Sequence, residues 1–352
     1  MFKIPIPDEW IQHYAYILLS STFLSLILTW FSIRIMKRMN VMDIPDERKV
    51  HTSPVPRMAG IGIYIAFAMP LLACGHVNSA QLGIIVGGAI ALVIGAVDDV
   101  HRVSAVGKLL SLFGLTILMW YFGIVTNFHL TGIQLPDLFI NIVITMLWLT
   151  GICSAINALD HLDALAGGVS VISAAAYLAV SIQSGQWLWG LISISLIGSL
   201  LGFLFFNKHP AKIFMGDSGS FFLGFSLASM GIMGGWSTNP IKSVVIPIAV
   251  LSVPIFDLCY VIIARRLNGT TQSLRESIVY CGKDHIGHRL MDMGFCQVNA
   301  VRIVWLTSFT VAISALTIRY TKIWESILFL IQIIMIYVIL IIFMKAPHLR
   351  KK

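Results

Sequence analysis

Apolar residues in this chain come in long uncharged blocks separated by short charged loops. Read with a window of membrane-span length, the blocks fall at 14–33, 60–73, 80–97, 109–125, 138–153, 168–182, 187–206, 220–235, 243–264, 300–318 and 324–344. Several are short for a full crossing and are expected to borrow residues from their loops. The pattern predicts an all-α, polytopic integral membrane protein of about eleven transmembrane helices. It forms a single domain over 1–352, with no separate soluble domain, low-complexity tract or evident internal repeat.

Composition narrows this further. With 57% hydrophobic and 11% charged residues and a mean hydropathy of +0.87, a soluble globular protein is excluded. The first block is preceded by Asp8 and Glu9 and followed by Arg34, Lys37 and Arg38. A secretory signal has the reverse charge order, so an uncleaved first helix with its N-terminus outside is expected. Threading the blocks from there puts every basic residue on the inner side except Lys3, Lys242, Arg319 and Lys322, and the C-terminus in the cytoplasm. That asymmetry accounts for the net charge of +8 without nucleic acid. Cys74, Cys153, Cys259, Cys281 and Cys296 form no CxxC pair and no framework spacing, which argues against a disulfide scaffold.

With that orientation the acids sort themselves. Asp98 and Asp99 end the third block in GAVDDVHRV, Asp160 and Asp163 lie in SAINALDHLDALAGG, and Asp217 lies in FFNKHPAKIFMGDSGS. All five occupy successive inner loops. Each set alone is as well explained by caps or solvated helix ends, although an acid at a helix C-terminus opposes the macrodipole. Three sets converging on one face favour a functional site. Clustered carboxylates repel unless a cation is present, and oxygen-only ligands point to Mg²⁺, or Mn²⁺, rather than zinc. Lys108, Lys208 and Lys212 offer charge to phosphate oxygens, and Asn157, one turn before Asp160, offers a hydrogen bond. Asp217 stands at the expected N-cap of the helix opened by Ser-Gly-Ser, where free N–H groups suit a phosphate. The parts together make a phosphoryl-transfer site at the cytoplasmic face.

The last inner loop reads GKDHIGHRLMDMGF. Asp284 is expected to cap a short helix ending at Gly294, with His285 and His288 on one face and Arg289 beside them. Without a Cys or third His the pair suits diphosphate or sugar better than zinc. Asp257 lies inside the ninth block and must face protein or a wet cavity; a structural partner such as Arg265 or Arg266 and a catalytic role both stay open.

Here the motifs become specific. DIPDERKVHTSPVPRMAGIGIYIAF (43–67), GAVDDVHRVSAVGKLL (95–110), INALDHLDALAGG (156–168), FNKHPAKIFMGDSGS (206–220), VPIFDLCYVIIARRL (253–267) and KDHIGHRLMDMGF (283–295) stand in series. Their order and spacing resemble the successive signatures of the polyprenyl-phosphate N-acetylhexosamine-1-phosphate transferases. The nearest branch is the bacterial one that starts teichoic-acid, enterobacterial-common-antigen and O-antigen lipid intermediates. The resemblance implies a bacterial plasma-membrane enzyme that moves a sugar-1-phosphate from a UDP-sugar to undecaprenyl phosphate, releasing UMP, with Mg²⁺. N-acetylglucosamine-1-phosphate is the first expectation for the group moved. A homodimer stays open.

Carried over by motif, Asp217 holds the metal. Asp98, Asp99, Asp160, Asp163 and His288 are the catalytic residues, the first two positioning or deprotonating the lipid phosphate. Lys49, Lys108, Asn157, Lys212, His285 and Arg289 are substrate contacts, with Asn157, Asp160 and Asp163 lining the nucleotide-diphosphate pocket. The histidine motif departs from the family at Gly287, where a third histidine is usual. His161 and Ala164 stand where glycines are usual, Ser154 where an asparagine is usual, and Ala59 replaces one of two glycines. The departures at His161 and Gly287 suggest another UDP-N-acetyl sugar, such as a 6-deoxy one. The rival from another class, a transporter, predicts polar groups at mid-membrane and broken helix pairs in matching halves. The acids at one interface rank it far behind.

Overall fold

The computed structural model describes residues 6–45, 50–101, 103–129, 131–280 and 282–349. Every apolar block is helical. In chain order the elements are α1 (Asp8–Arg38), the two-residue strands β1 (Met42–Asp43) and β2 (Val55–Pro56), α2 (Gly60–Cys74), α3 (Ser79–His101), α4 (Ala105–Trp120), α5 (Gln134–Leu159), α6 (Leu165–Gln183) and α7 (Trp187–Asn207). Then follow α8 (Gly216–Met233), α9 (Pro240–Val250), α10 (Ser252–Leu267), α11 (Leu274–Val279), α12 (Ile286–Asp292), α13 (Gln297–Ile318) and α14 (Ile323–Leu349).

Among the described residues, seven helices are long and apolar enough to cross a membrane, or eight if α9 and α10 count as one span. The count is lower than the number of apolar blocks because α2 and α4 are short and α8 opens on the polar run Gly-Asp-Ser-Gly-Ser. At 1.5 Å per residue, α2 and α4 reach only about 23 Å, less than the roughly 30 Å hydrocarbon thickness. The ninth block is broken by a bend of 72° between α9 and α10. Pro254 causes it, lacking the N–H that would bond the Val250 carbonyl and clashing with that carbonyl. The orphaned oxygen accepts from Ser173 Oγ at 3.2 Å instead. No second bent pair mirrors it among the described residues, as a transporter built from matching halves would require.

Lipid tails are as apolar as leucine, so the helices associate through close packing rather than hydrophobic burial. At the α1–α7 contact, Gly198 and Gly202 face α1. A Cβ on Gly198 would lie 2.8 Å from the Leu18 carbonyl, and one on Gly202 would lie 2.6 Å from the Thr22 carbonyl. Ser21 and Ser195 hydroxyls meet there at 3.1 Å. The most enclosed helix is α8, packed by α3, α5 and α2, with nearly every residue from Ser218 to Gly231 buried. Its N-terminal end is stitched to the loop before α2: Phe214 N–H donates to the Pro56 carbonyl, and Gly60 N–H donates to the Met215 carbonyl. This brings β2, α2, α3 and α8 together at one end of the bundle.

Candidate active site

The start of α8 is built by contacts that leave no room for side chains. Gly216 has a φ of +74°, and a Cβ there would lie 2.6 Å from an Asp99 carboxylate oxygen. A Cβ on Gly95, one turn before Asp99, would collide with the Asp217 carbonyl, and one on Gly60 would collide with the Gly219 backbone. This approach lets Asp99 accept hydrogen bonds from the N–H groups of Asp217 and Ser218, each at 3.1 Å. The helix is therefore capped from α3. The sequence expectation that Asp217 caps α8 is corrected: Asp217 is the second helical residue, and the N–H groups offered to a phosphate are taken by Asp99.

Relieved of capping, the Asp217 carboxylate lies in a polar cluster. It accepts from Lys108 Nζ at 3.0 Å and from Asn157 Nδ2 at 3.0 Å, and Asn157 also donates to Ser220 Oγ at 2.9 Å. Lys108 is paired on its other side with Asp98, whose second oxygen accepts from Val103 N–H at 2.7 Å. Arg57 donates to the Asp99 backbone carbonyl and lies 3.9 Å from its carboxylate. Asp163 binds His209 at 2.7 Å and the Ala211 N–H at 3.2 Å, tying the α5–α6 loop to the α7–α8 loop. Buried Asn207 reinforces that tie, accepting from Ala164 N–H and donating to the Ile213 carbonyl. Ala164 has a φ of +62°, which explains physically why a glycine suits the position.

Asp160 stands apart. It is the C-cap residue of α5, and its carboxylate has no hydrogen-bond or ion-pair partner among the described residues. Burial pushes its pKa well above the carboxylate range, and the charges of Asp217 and Asp99 push it further.

Two cavities meet at this cluster. One, of about 230 Å³, is lined by polar groups including Arg57, Asp99, Asp160, Asp163 and Asp217. The other, of about 470 Å³, has Lys108 and Asn157 beside an apolar wall of Leu109, Leu112, Phe221 and Leu258. His161 and His288 line both.

The histidines are held by α10. Asp257 accepts from His285 Nδ1 and from the Ile286 N–H, each at 2.7 Å, so it caps α12. Asp284, expected in that role, instead forms a two-pronged pair with Arg265 at 2.6 and 2.7 Å. Burial works to raise the Asp284 pKa, but the Arg265 guanidinium overrides it and holds the carboxyl below its ordinary value. His161 completes the group. Its Nδ1 donates to the Ala158 carbonyl at 2.9 Å, and its ring centroid lies 4.7 Å from that of His288 and 5.2 Å from that of His285. Burial lowers the His161 pKa to about 3 and also lowers that of His288.

The chain was compared with known proteins. Residues 81–235 match the model of glycosyl transferase family 4. A Bacillus subtilis protein named "Probable undecaprenyl-phosphate N-acetylglucosaminyl 1-phosphate transferase" is 38% identical over 320 residues, covering 89% of this chain and 86% of that protein. The chain belongs to the polyprenyl-phosphate N-acetylhexosamine-1-phosphate transferase family. A Mycobacterium leprae member named decaprenyl-phosphate N-acetylglucosaminephosphotransferase is 31% identical over 82% of this chain and 80% of its own length. A Listeria monocytogenes phospho-N-acetylmuramoyl-pentapeptide-transferase is 28% identical over 58% of this chain and 68% of its own length.

Of the residues this transferase was expected to use, Asp98, Asp99, Lys108, Asn157, Asp160, Asp163, Asp217, His285 and His288 come together around the two cavities. Two described residues do not join them. Lys212 is exposed outside both cavities, like Lys208, which lies over the Phe205 ring. Arg289 donates to the Asp284 carbonyl, lies 5.1 Å from the Tyr260 ring centroid and faces a separate pocket. Lys49 lies outside the described residues. Sequence reading missed Arg57, Asn207 and the inward place of His161. Arg57 had a signal, its Pro-x-Pro-Arg turn; Asn207 had none.

The family's divalent cation fits what is present. The donors around the polar cavity are carboxylate oxygens, the set that Mg²⁺ prefers. Asp160 has no cationic partner, and burial first, then the neighbouring carboxylates, raises its pKa, a cost that a bound cation would relieve. Among the described residues, two other groups bring three metal-capable side chains together: His161 with Asp257 and His285, and His13 with Cys74 and His76.

Proposed function

We propose that the protein transfers a sugar-1-phosphate, N-acetylglucosamine-1-phosphate in the first instance, from a UDP-sugar to undecaprenyl phosphate at the cytoplasmic face of the bacterial plasma membrane. The observation that carries this is the cluster of Lys108, Asp98, Asp217 and Asn157 where a polar cavity meets one with an apolar wall. A nucleotide diphosphate suits the first, and the phosphate end of a long isoprenoid suits the second. The family membership and the 38% identical Bacillus relative support the reaction class.

In this reading Asp217, with Asp160 across the polar cavity, would hold Mg²⁺, which when bound neutralises diphosphate oxygens. Lys108 meets phosphate as a point charge, kept in place by Asp98 and Asp217. Asp99 serves geometry, fixing the start of α8 so that Asp217 and Asn157 stay aligned. An oxygen of the lipid phosphate attacks the β-phosphorus of the UDP-sugar, the bond to UMP breaks, and UMP leaves with its electron pair. The attacking oxygen is already anionic at neutral pH, so alignment and charge neutralisation dominate. Asp98 and Asp99 already accept backbone or lysine hydrogen bonds, which disfavours either as a covalent nucleophile.

Purified protein incubated with undecaprenyl phosphate and a panel of UDP-sugars should release UMP in a Mg²⁺-dependent way. No release with any UDP-N-acetyl sugar overturns the proposal. In delipidated enzyme, labelled UMP should not exchange into UDP-sugar, because only a covalent route permits exchange without acceptor.

A further inference from the structure

Two departures from the family pattern, 126 positions apart in the chain, turn out to be one feature. Gly287 lies in α12 with no left-handed φ, so backbone conformation does not call for glycine there. Space does. A Cβ on Gly287 would lie 2.5 Å from Leu162 Cδ1 and 2.7 Å from His161 Nε2. A side chain at 287 would therefore push aside the Leu162 methyl and the His161 imidazole, and in this chain the α5–α6 loop supplies that imidazole.

The His161 ring is set up to meet a ligand. Its Nδ1 faces the Ala158 carbonyl, which can only accept, so Nδ1 carries the proton and Nε2 presents a lone pair. Nε2 is buried and has no hydrogen-bond partner among the described residues. The neighbouring rings of His285 and His288 are tilted by only 35° and 31° to it, closer to stacking than to an edge-on approach. An unmet buried acceptor beside two cavities, in a site where Asp160 is also unpartnered, marks a place that a ligand completes. A diphosphate at neutral pH brings no donor to such an atom. Hydroxyls and N–H groups do, on the uridine as on the transferred sugar, and the sugar is the part that differs between UDP-sugar donors.

We propose that His161 is a substrate-contacting residue, its Nε2 accepting a hydrogen bond from a hydroxyl or the acetamido N–H of the donor sugar, the absence of a side chain at Gly287 giving the ring room to stand at the two cavities. This rests on the proposed function and names the residue that reads the sugar. Because His161 lines both cavities, the contact falls where the sugar-bearing end of the nucleotide meets the lipid phosphate.

The test uses full-length protein in detergent with undecaprenyl phosphate. His161→Phe keeps a ring beside His288 and removes the acceptor. It should lower kcat/KM by about tenfold for the preferred UDP-sugar, the loss of one hydrogen bond. A donor lacking the contacted group should be used equally by parent and variant, which identifies that group. Gly287→His alone should lose turnover through collision with His161 and Leu162. The double variant His161→Gly/Gly287→His should recover about tenfold or more over it, as touching residues couple. The inference fails if His161→Phe matches the parent on every donor, or if the double variant is no better than Gly287→His. It also fails if the parent holds stoichiometric zinc that His161→Phe loses, since Nε2 is then a metal ligand. A parent that turns over no UDP-sugar overturns the proposed function and this inference with it; an active parent matched by His161→Phe overturns the inference alone.

Discussion

Single carboxylates in this protein have divided roles that their residue type does not distinguish. Asp99 accepts two backbone N–H groups and works as a cap, whereas Asp217 meets only side chains and is turned to the cavity. Asp217→Asn keeps the volume and removes the charge. It should cut UMP release by a factor of about 10²–10³, the usual scale for a lost electrostatic contact. Size-exclusion elution in detergent should not change. Turnover within a few-fold of the parent would show that Asp217 is dispensable. Asp284 makes a pH-dependent contribution of the opposite character, structural rather than chemical. Its pKa is depressed in the fold by Arg265, so its stabilisation is present above the ordinary carboxylate pKa. It is lost as pH falls through the depressed value. Asp284→Asn leaves the buried Arg265 guanidinium bonded to the Ser277 carbonyl but without its counter-charge, and should cost about 3 kcal/mol near neutral pH. The gap in melting temperature between parent and variant should narrow as the medium is acidified into the carboxylate range. A gap that widens in acid contradicts the assignment.

Helix ends, more than helix faces, make the site. The C-terminal end of α3 and the N-terminal ends of α2 and α8 converge because Gly60 and Gly95 let backbones touch and Gly216 leaves room for the Asp99 carboxylate. Gly95→Ala places a methyl against the Asp217 carbonyl and should displace the start of α8. We expect activity to fall by more than about tenfold, because displacements of about 1 Å at a reacting centre have effects of this size or larger. Gly114→Ala, in α4 with open space around it, is the matched control and should be close to neutral. If Gly95→Ala leaves UMP release unchanged, the glycine contact does not position Asp217. The eleven apolar blocks were legible as helices because hydropathy reports burial in lipid or protein directly. The break at Leu251 was not, because apolar residues continue across it and only Pro254 carries the signal.

At the scale of the whole molecule, the positive-inside asymmetry and the clustering of acids at one end of the bundle make one testable statement about sidedness. A cysteine at Lys208 should be labelled by an impermeant reagent only from the cytoplasmic side, and one at Asn78 only from outside. Labelling of position 208 in intact cells would separate the site from the cytoplasm and remove the UDP-sugar supply on which the proposed function depends. The buried α8 is the structural centre of that arrangement, and the largely exposed α14 contributes no described residue to either central cavity.

The sequence by itself determined the solvent, the secondary structure and the reaction class. Long uncharged blocks admit only hydrogen-bonded helices in lipid, and the ordered motifs carry the family. Most of the polar residues that meet at the cavities were legible for the same reason: acids close to hydrocarbon are costly unless used. Only the tertiary structure decided which acid caps which helix. Asp99 satisfies N–H groups 118 residues away, Asp257 satisfies one 29 residues away, and Arg289 turns from the site it adjoins in sequence. His161 and Gly287 read as two unrelated exceptions until the fold put them 2.7 Å apart. Spacing within a chain constrains only the bonds a residue makes to its own turn. Steric exclusion and capping between distant segments depend on distances that exist only once the helices have packed.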